Sequence, residues 1–118
     1  MADVQLEAGH VRIANGLWEA WIRASLSVPE YRVLMAIVRL SYGWGRKETV
    51  AHRGSGPQPA SSSTLQRLTG LDPKGVRRAL RGLCMKQLVV RVSDYDSEAG
   101  EASVYRVVKD YDSWSPGV

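Results

Sequence analysis

The sequence has a single cysteine, no phenylalanine and no apolar run near the roughly 20 residues that a membrane-spanning helix needs. One cysteine, Cys84, excludes an internal disulfide. The histidines, His10 and His52, have no cysteine cluster near them, so the ligand spacing of a structural zinc site is missing. The first residues also lack the basic and apolar regions of a signal peptide. We therefore expect a cytoplasmic protein with no metal, no cofactor and no membrane partner.

Groupings of residues that support catalysis are missing as well. The sequence contains no nucleophile-base-acid arrangement and no glycine-rich phosphate-binding loop, so we predict that the protein is not an enzyme. Its 118 residues, of which 44% are hydrophobic, fit one globular domain with a modest core. We expect a flexible arm over residues 1–10, the folded domain over 11–110 and a tail over 111–118.

Local signals predict two helices in the first third of the chain. Asn15 is a candidate cap for a short helix with one apolar stripe, formed by Leu17, Trp18, Trp21 and Ile22. Ser27 and Glu30 have the spacing of a capping box. The helix that they open is so rich in apolar residues that it should lie at the centre of the core. We expect it to end near Gly43 in a left-handed glycine, followed by one long loop over 43–60.

A helix-turn-helix and a hairpin are predicted next. Ser63 begins a second capping box, which opens a short helix that ends at Gly70. Asp72, followed by proline, starts a longer helix that runs to about Lys86. The pattern then alternates with a period of two, which predicts strands over 88–92 and 103–108. This order predicts a mainly α fold with a small β-hairpin, the winged helix-turn-helix.

Charge is segregated along the chain, although the net charge of +4 is small. Residues 73–91 contain six basic residues and no acid, which points to a polyanionic partner. If residues 73–86 form a helix, one side of that helix is apolar and the opposite side is basic. The expected DNA-binding residues on this helix are Lys74, Gly75, Arg77, Arg78 and Arg81. Arginine can bind guanine bidentately in the major groove, while the glycine either lets the backbone approach DNA or is merely tolerated.

Further DNA contacts are predicted outside this helix. They are Ser61, Ser62, Thr64, Arg46, Lys47, Arg53 and Arg91. Hydroxyl groups at a helix start suit a phosphate oxygen, whereas the basic loop residues are either phosphate contacts or an ordinary polar surface. The loop of the hairpin carries four acids, Asp94, Asp96, Glu98 and Glu101, which would repel phosphate. We therefore do not expect the hairpin tip to enter the minor groove.

Three motifs are similar to those of a known family. They are RIANGLWEA at residues 12–20, SYGWGRKE at 41–48, and LQRLTGL with VRRAL at 65–71 and 76–80. The sequence resembles the N-terminal domain of the lambda-type phage replication O proteins, whose motifs are RIANxLxEA, TYGxxxKxD and LxxxTGLxxxxVxRAL. The likeness covers residues 11–90. The first two motifs are fairly specific, whereas many winged-helix regulators share the third.

The resemblance implies sequence-specific binding of double-stranded DNA at a phage or prophage replication origin, as a homodimer on repeated sites in the bacterial host. It also implies a separate region that recruits a helicase loader, so we expect this chain to be an excised domain or a short relative. The residues alone leave two other functions open. One is a transcriptional regulator that uses the same helix, and the other is a winged-helix protein-interaction module whose basic face meets an acidic partner.

Overall fold

Four helices and one β-hairpin follow one another in the computed structural model, which describes residues 2, 4–5, 9–54 and 56–118. The elements are α1 (Asn15–Arg23), α2 (Val28–Ser41), α3 (Ser62–Thr69), α4 (Pro73–Met85), β1 (Val89–Ser93) and β2 (Val104–Val107), with 3-10 turns at Tyr42–Trp44 and Tyr111–Ser113. The architecture is therefore mainly helical with a small antiparallel sheet. Within the described ranges, no helix is long and apolar enough to cross a membrane. Residues 1, 3 and 6–8 of the expected arm, and residue 55 of the expected loop, lie outside the described residues.

The centre of the core is α2, as its apolar sequence predicts. It packs against α3, α4 and β2, and it buries Val33, Leu34 and Ile37 completely. Burial of one such side chain contributes about 1.5–3 kcal/mol. The predicted capping box is confirmed, since the Glu30 amide donates to Ser27 Oγ over 3.3 Å and the Ser27 amide donates to Glu30 Oε1 over 2.8 Å.

The end of α2 differs from the prediction. The helix stops at Ser41, continues as a 3-10 turn and then reverses at Gly45, which has a φ of 67°. Gly45, not Gly43, is therefore the left-handed glycine. The buried Ser41 accounts for the delay, because its carbonyl accepts from the amide of Arg46 over 3.0 Å and so closes the turn after Gly45.

Two predicted helix starts are also wrong. The N-cap of α1 is Ala14, which makes no side-chain cap, and Asn15 is the first residue of the helix. The N-cap of α3 is Ser61, whose hydroxyl accepts from the amide of Thr64 over 3.3 Å. Ser63 is therefore inside the helix. Several hydroxyl residues in a row make such a start ambiguous, because each could serve as the cap.

The buried stripe of α1 is only partly the predicted one. Leu17 and Trp21 are buried, but Trp18 is 48% exposed and Ile22 is 69% exposed. Ala20 takes their place in the core. The helix thus turns a small residue inward and leaves two large apolar side chains at the surface.

The sheet is an antiparallel hairpin in which Val89 pairs with Val107 and Arg91 with Tyr105. This confirms the predicted hairpin. The prediction of one long loop over 43–60 is wrong in part, because residues 48–51 lie along β2. The Thr49 amide donates to the Tyr105 carbonyl, and the Tyr105 amide donates to Thr49 Oγ1, both over 2.9 Å. These residues extend the sheet at its open edge.

The C-terminal segment is tied to the end of α4. The indole of Trp114 packs against the core and donates to the Val108 carbonyl over 3.1 Å. Ser115 is also bonded to the end of α4: its amide donates to the Lys86 carbonyl over 3.0 Å, and its hydroxyl donates to the Met85 carbonyl over 2.9 Å. The segment therefore covers the carbonyl end of α4 and the base of the hairpin.

Candidate nucleic-acid interface

The orientation of α4 is fixed by its cap and its apolar side. Asp72 Oδ1 accepts from the Gly75 amide over 2.7 Å, and Pro73 occupies the first helical position. The helix buries Val76, Ala79, Leu80 and Leu83. This side packs against α2, α3 and β1, so the opposite side of α4 faces outward.

That outward side carries four basic side chains. All four are exposed: Lys74, Arg77, Arg78 and Arg81. In the described part of the chain, none of them takes part in an ion pair with a carboxylate. Lys74 and Arg78 are four residues apart, as are Arg77 and Arg81, and like charges at this spacing destabilise a helix by about 0.2–0.5 kcal/mol per pair. An anionic ligand would remove this repulsion.

An open groove of about 1440 Å³ runs between α4 and the hairpin. Six of the predicted DNA-binding residues line it: Arg53, Ser61, Ser62, Arg77, Arg81 and Arg91. They come from the loop before α3, the start of α3, α4 and β1. The fold therefore gathers basic and hydroxyl groups from four segments along one surface, which we call the α4 groove.

Two carboxylates also line the α4 groove, namely Asp94 and Glu101. Asp94 lies 3.7 Å from the guanidinium of Arg91, and Glu101 lies 3.3 Å from Nε2 of His52. Arg91 is further held over the ring of Tyr105, 5.7 Å from its centroid, and this neighbour raises the pKa of Arg91. The positive potential of the groove is thus strongest beside α4 and weaker beside the hairpin.

Two of the predicted residues, Gly75 and Arg78, lie on the other flank of α4. Together with Arg81, they line a pocket of about 390 Å³ beside Ser27, Pro29 and Glu30, at the beginning of α2. A Cβ at Gly75 would lie 2.8 Å from Oδ1 of Asp72, so the missing side chain leaves room for the helix cap. This steric role adds to the two roles that the sequence left open for Gly75.

The hydroxyls at the start of α3 are largely engaged in the cap. Ser61 accepts from the Thr64 amide, and its own hydroxyl donates to Thr64 Oγ1 over 3.0 Å. Ser62 is exposed and accepts from Gln66 Nε2 over 2.9 Å. Arg67, which the sequence prediction did not include, lies beside Thr64 and Arg53 in a small pocket.

Arg46 and Lys47 are separated from the α4 groove. They line a different pocket, of about 470 Å³, together with His10, Arg12 and Tyr42, and we call it the Arg46 pocket. Among the residues that the structure describes, none lines both this pocket and the α4 groove. The sequence prediction grouped Arg46 and Lys47 with Arg53, but the pairing of residues 48–51 with β2 divides the loop between two surfaces.

Lys86 and Cys84 lie near the end of α4, and both are partly buried. Lys86 belongs to the basic run, yet its Nζ bonds to Glu30 Oε1 over 2.8 Å and to the Ser25 carbonyl over 3.1 Å. It therefore fastens α4 to α2. Cys84 lines the α4 groove half-buried, and this burial raises the pKa of its thiol although Arg91 acts in the opposite sense. A thiol of this kind stays protonated at neutral pH.

Comparison with known proteins gives three similarities. The sequence profile of the family described as bacteriophage replication protein O matches residues 2–114. Replication protein 15 of Enterobacteria phage phi80 is 25% identical over 114 residues, which cover 97% of this chain and 32% of that protein. Replication protein O of Escherichia phage lambda is 42% identical over 41 residues, or 35% of this chain and 12% of that protein. The chain thus spans about a third of the length of the phi80 relative. No solved structure matches it.

Proposed function

The chain belongs to the bacteriophage replication protein O family, and we propose that it binds double-stranded DNA of a phage replication origin in a sequence-specific manner at the start of replication. The names of its phage relatives support the replication role. We assign recognition of the DNA sequence to α4, which would lie in the major groove. The proposal treats the molecule as a winged helix in which α3 and α4 form the helix-turn-helix and the β1–β2 hairpin is the wing.

The observation that carries this proposal is the free basic side of α4. Four cations project from one rigid helix with no carboxylate partner among the described residues. A surface of this kind neutralises phosphates, and arginine can also bind guanine through two parallel hydrogen bonds. Because the apolar side of α4 is packed against three other elements, the helix can hold these side chains in a fixed register on a duplex.

The geometry also favours a particular division of roles. Arg78 lies on the flank near the start of α2, away from the hairpin acids, so we assign it to base reading. Arg53 and Arg91 reach the α4 groove from irregular or strand backbone, which suits contact with phosphates. The hairpin would approach DNA by its base and not by its acidic tip.

The test begins with selection of a preferred duplex from a random library. Binding of this duplex and of a scrambled duplex is then titrated at several salt concentrations. The double variant Arg78→Ala/Arg81→Ala should bind the selected duplex at least about 10-fold more weakly. For each phosphate that the variant no longer neutralises, the slope of log K against log salt should flatten by about 0.9.

A matched control removes two positive charges elsewhere. Arg23 and Lys109 are exposed and make no ion pair in the described part of the chain. Arg23→Ala/Lys109→Ala should therefore change affinity for the selected duplex much less. Equal losses of affinity in the two double variants, or the lack of any preferred sequence, would contradict the proposal.

A further inference from the structure

The Arg46 pocket is a second cationic surface that the proposed function does not use. Three cationic side chains, Arg12, Arg46 and Lys47, line it, and none of the described residues that line it is acidic. In the same part of the chain, Arg12, Arg46 and Lys47 have no carboxylate partner. Since the pocket and the α4 groove have no described lining residue in common, a ligand of this pocket would be bound by an independent set of contacts.

The backbone segment that lines this pocket also carries an exposed aromatic residue, Trp44, whose ring lies near Arg39 and Gly56. Trp44 lies between Gly43 and Gly45, which both line the pocket, and its side chain is 47% exposed. The guanidinium of Arg39 lies 5.9 Å from the centroid of the Trp44 ring and makes a cation–π contact with it. Trp44 does not belong to the hydrophobic core, and about half of its surface is open to a ligand.

The backbone holds these groups in a rigid arrangement. The Gly45 amide donates to the Tyr42 carbonyl over 2.9 Å, and the left-handed Gly45 turns the chain so that Arg46 can bond back to Ser41. A few residues later, Thr49 is fixed to β2. The backbone that carries Trp44, Arg46 and Lys47 is therefore anchored on both sides.

We propose that the Arg46 pocket and Trp44 together bind single-stranded DNA. Single strands are held by cationic grooves that follow the phosphates and by aromatic rings on which unpaired bases stack. In the proposed site, Arg46, Lys47 and Arg12 contact the phosphates, and one base lies on the open part of the Trp44 ring. A paired base cannot stack in this way, because both of its faces are covered in the duplex. The site therefore distinguishes single-stranded from double-stranded DNA.

This inference goes beyond the proposed function and does not rest on it. The two sites would allow one molecule to hold a duplex on α4 and an unpaired strand on the Arg46 pocket. Their different residues also allow the two activities to be separated by substitution.

The test measures binding of a fluorescent oligothymidylate of about 12 nucleotides to the whole chain. Trp44→Leu should weaken binding roughly 5- to 100-fold, whereas Trp44→Phe, which keeps an aromatic ring, should largely preserve it. Arg46→Ala/Lys47→Ala should flatten the slope of log K against log salt by about 0.7 for each phosphate that is no longer neutralised. All of these side chains are exposed, and thermal melting by circular dichroism checks that each variant is folded.

Duplex binding supplies the control. Arg78→Ala/Arg81→Ala removes the same number of charges as the pocket pair and should leave oligothymidylate binding nearly unchanged. A result in which both double variants weaken oligothymidylate binding equally would overturn the proposal, as would wild-type protein that fails to bind it. If Arg46→Ala/Lys47→Ala weakens only duplex binding, the pocket is a duplex contact and the proposal is wrong. If Arg78→Ala/Arg81→Ala does not weaken duplex binding, the function assigned to α4 is refuted instead.

Discussion

The carboxylate of Glu30 lies against Gly82, in the last turn of α4. A Cβ at Gly82 would overlap Oε2 of Glu30 and would lie 3.0 Å from its Cδ. Glu30 is 7% exposed, and its other oxygen is bonded to the Ser27 amide and to Nζ of Lys86. A single acid thus caps α2, pairs with the end of α4 and requires a glycine at the helix crossing.

Substitution of Gly82 by alanine should destabilise the protein, although alanine is the better helix former by about 1 kcal/mol. The added methyl group must displace the Glu30 carboxylate, and overpacking of this kind costs about 1–3 kcal/mol. Gly16→Ala in α1 is the control, because a Cβ there meets no described atom within 4 Å and should be neutral or slightly stabilising. Urea unfolding measures both free energies. A stabilised Gly82→Ala variant would show that Glu30 moves aside at no cost.

The stability contributed by Glu30 should disappear in acid. Burial raises the pKa of this carboxyl, but hydrogen bonds from Lys86 and Ser27, with the charge of Lys86, outweigh burial and leave the pKa below the ordinary 4.5. A pKa that is lower in the folded state contributes stability above the unfolded value, and this contribution is lost as the pH falls through the folded pKa. Glu30→Gln should therefore be less stable than wild type by roughly 1–3 kcal/mol at pH 7. The two proteins should converge as the pH falls below the ordinary carboxyl pKa of 4.5.

Unfolding by urea across a pH series measures that convergence. Glu19→Gln serves as the control, since Glu19 is exposed on α1 and makes no ion pair among the described residues. It should follow the wild-type curve throughout. A gap between Glu30→Gln and wild type that stays constant from neutral pH to acid would mean that the charge of Glu30 does not stabilise the fold.

Arg78→Ala should reduce sequence preference as well as affinity. A base-reading arginine contributes about 1–3 kcal/mol of discrimination, whereas a phosphate contact weakens all sequences alike. Arg53→Ala is the comparison, because Arg53 lies by the start of α3 and is assigned to phosphate. Titration of selected and random duplexes separates the two effects. Equal losses of affinity on both duplexes for Arg78→Ala would reassign this residue to backbone contact.

Neutralising the acids of the α4 groove should strengthen binding to random duplexes. Asp94→Asn/Glu101→Gln keeps the shape of the side chains and removes their repulsion of phosphate. We expect roughly 3- to 10-fold tighter binding at about 0.1 M salt and little change at about 1 M, where charges more than about 3 Å apart are screened. Glu19→Gln/Asp112→Asn changes the net charge equally at exposed sites elsewhere and should have a smaller effect. Weaker binding in the groove variant would mean that these acids make favourable contacts.

The elements that could be predicted from the sequence are those whose caps and apolar spacing lie within a few residues of one another. The cap at Asp72, the proline after it and the spacing of Val76, Ala79 and Leu80 determine both the start of α4 and its buried side. The position of the basic side follows from this, because burial of the apolar side of α4 leaves the opposite, basic side exposed. The capping box at Ser27 is equally local and was predicted for the same reason.

Features that depend on distant contacts were missed. Residues 48–51 show no alternating apolar pattern, and only their bonds to β2 give them an extended form. The hydrogen bond between Glu30 and Lys86 joins residues that are 56 positions apart, so no local sequence pattern predicts it. In α1, Trp18 and Ala20 lie on overlapping stripes, and the neighbouring elements decide that the smaller residue is buried. The same long-range pairing separated Arg46 from Arg53.

The two hydrogen bonds between Thr49 and Tyr105 have a consequence for the nascent chain. The two residues are 56 positions apart. At a synthesis rate of about 5–20 residues per second, Thr49 waits about 3–11 s for its partner to be made. During that interval, the backbone groups of residues 48–51 have no β2 to pair with. Glu30 also lacks its partner Lys86 for most of the same time. The N-terminal helices therefore emerge without the contacts that hold them, and the domain completes its folding only when the second strand of the hairpin has been translated.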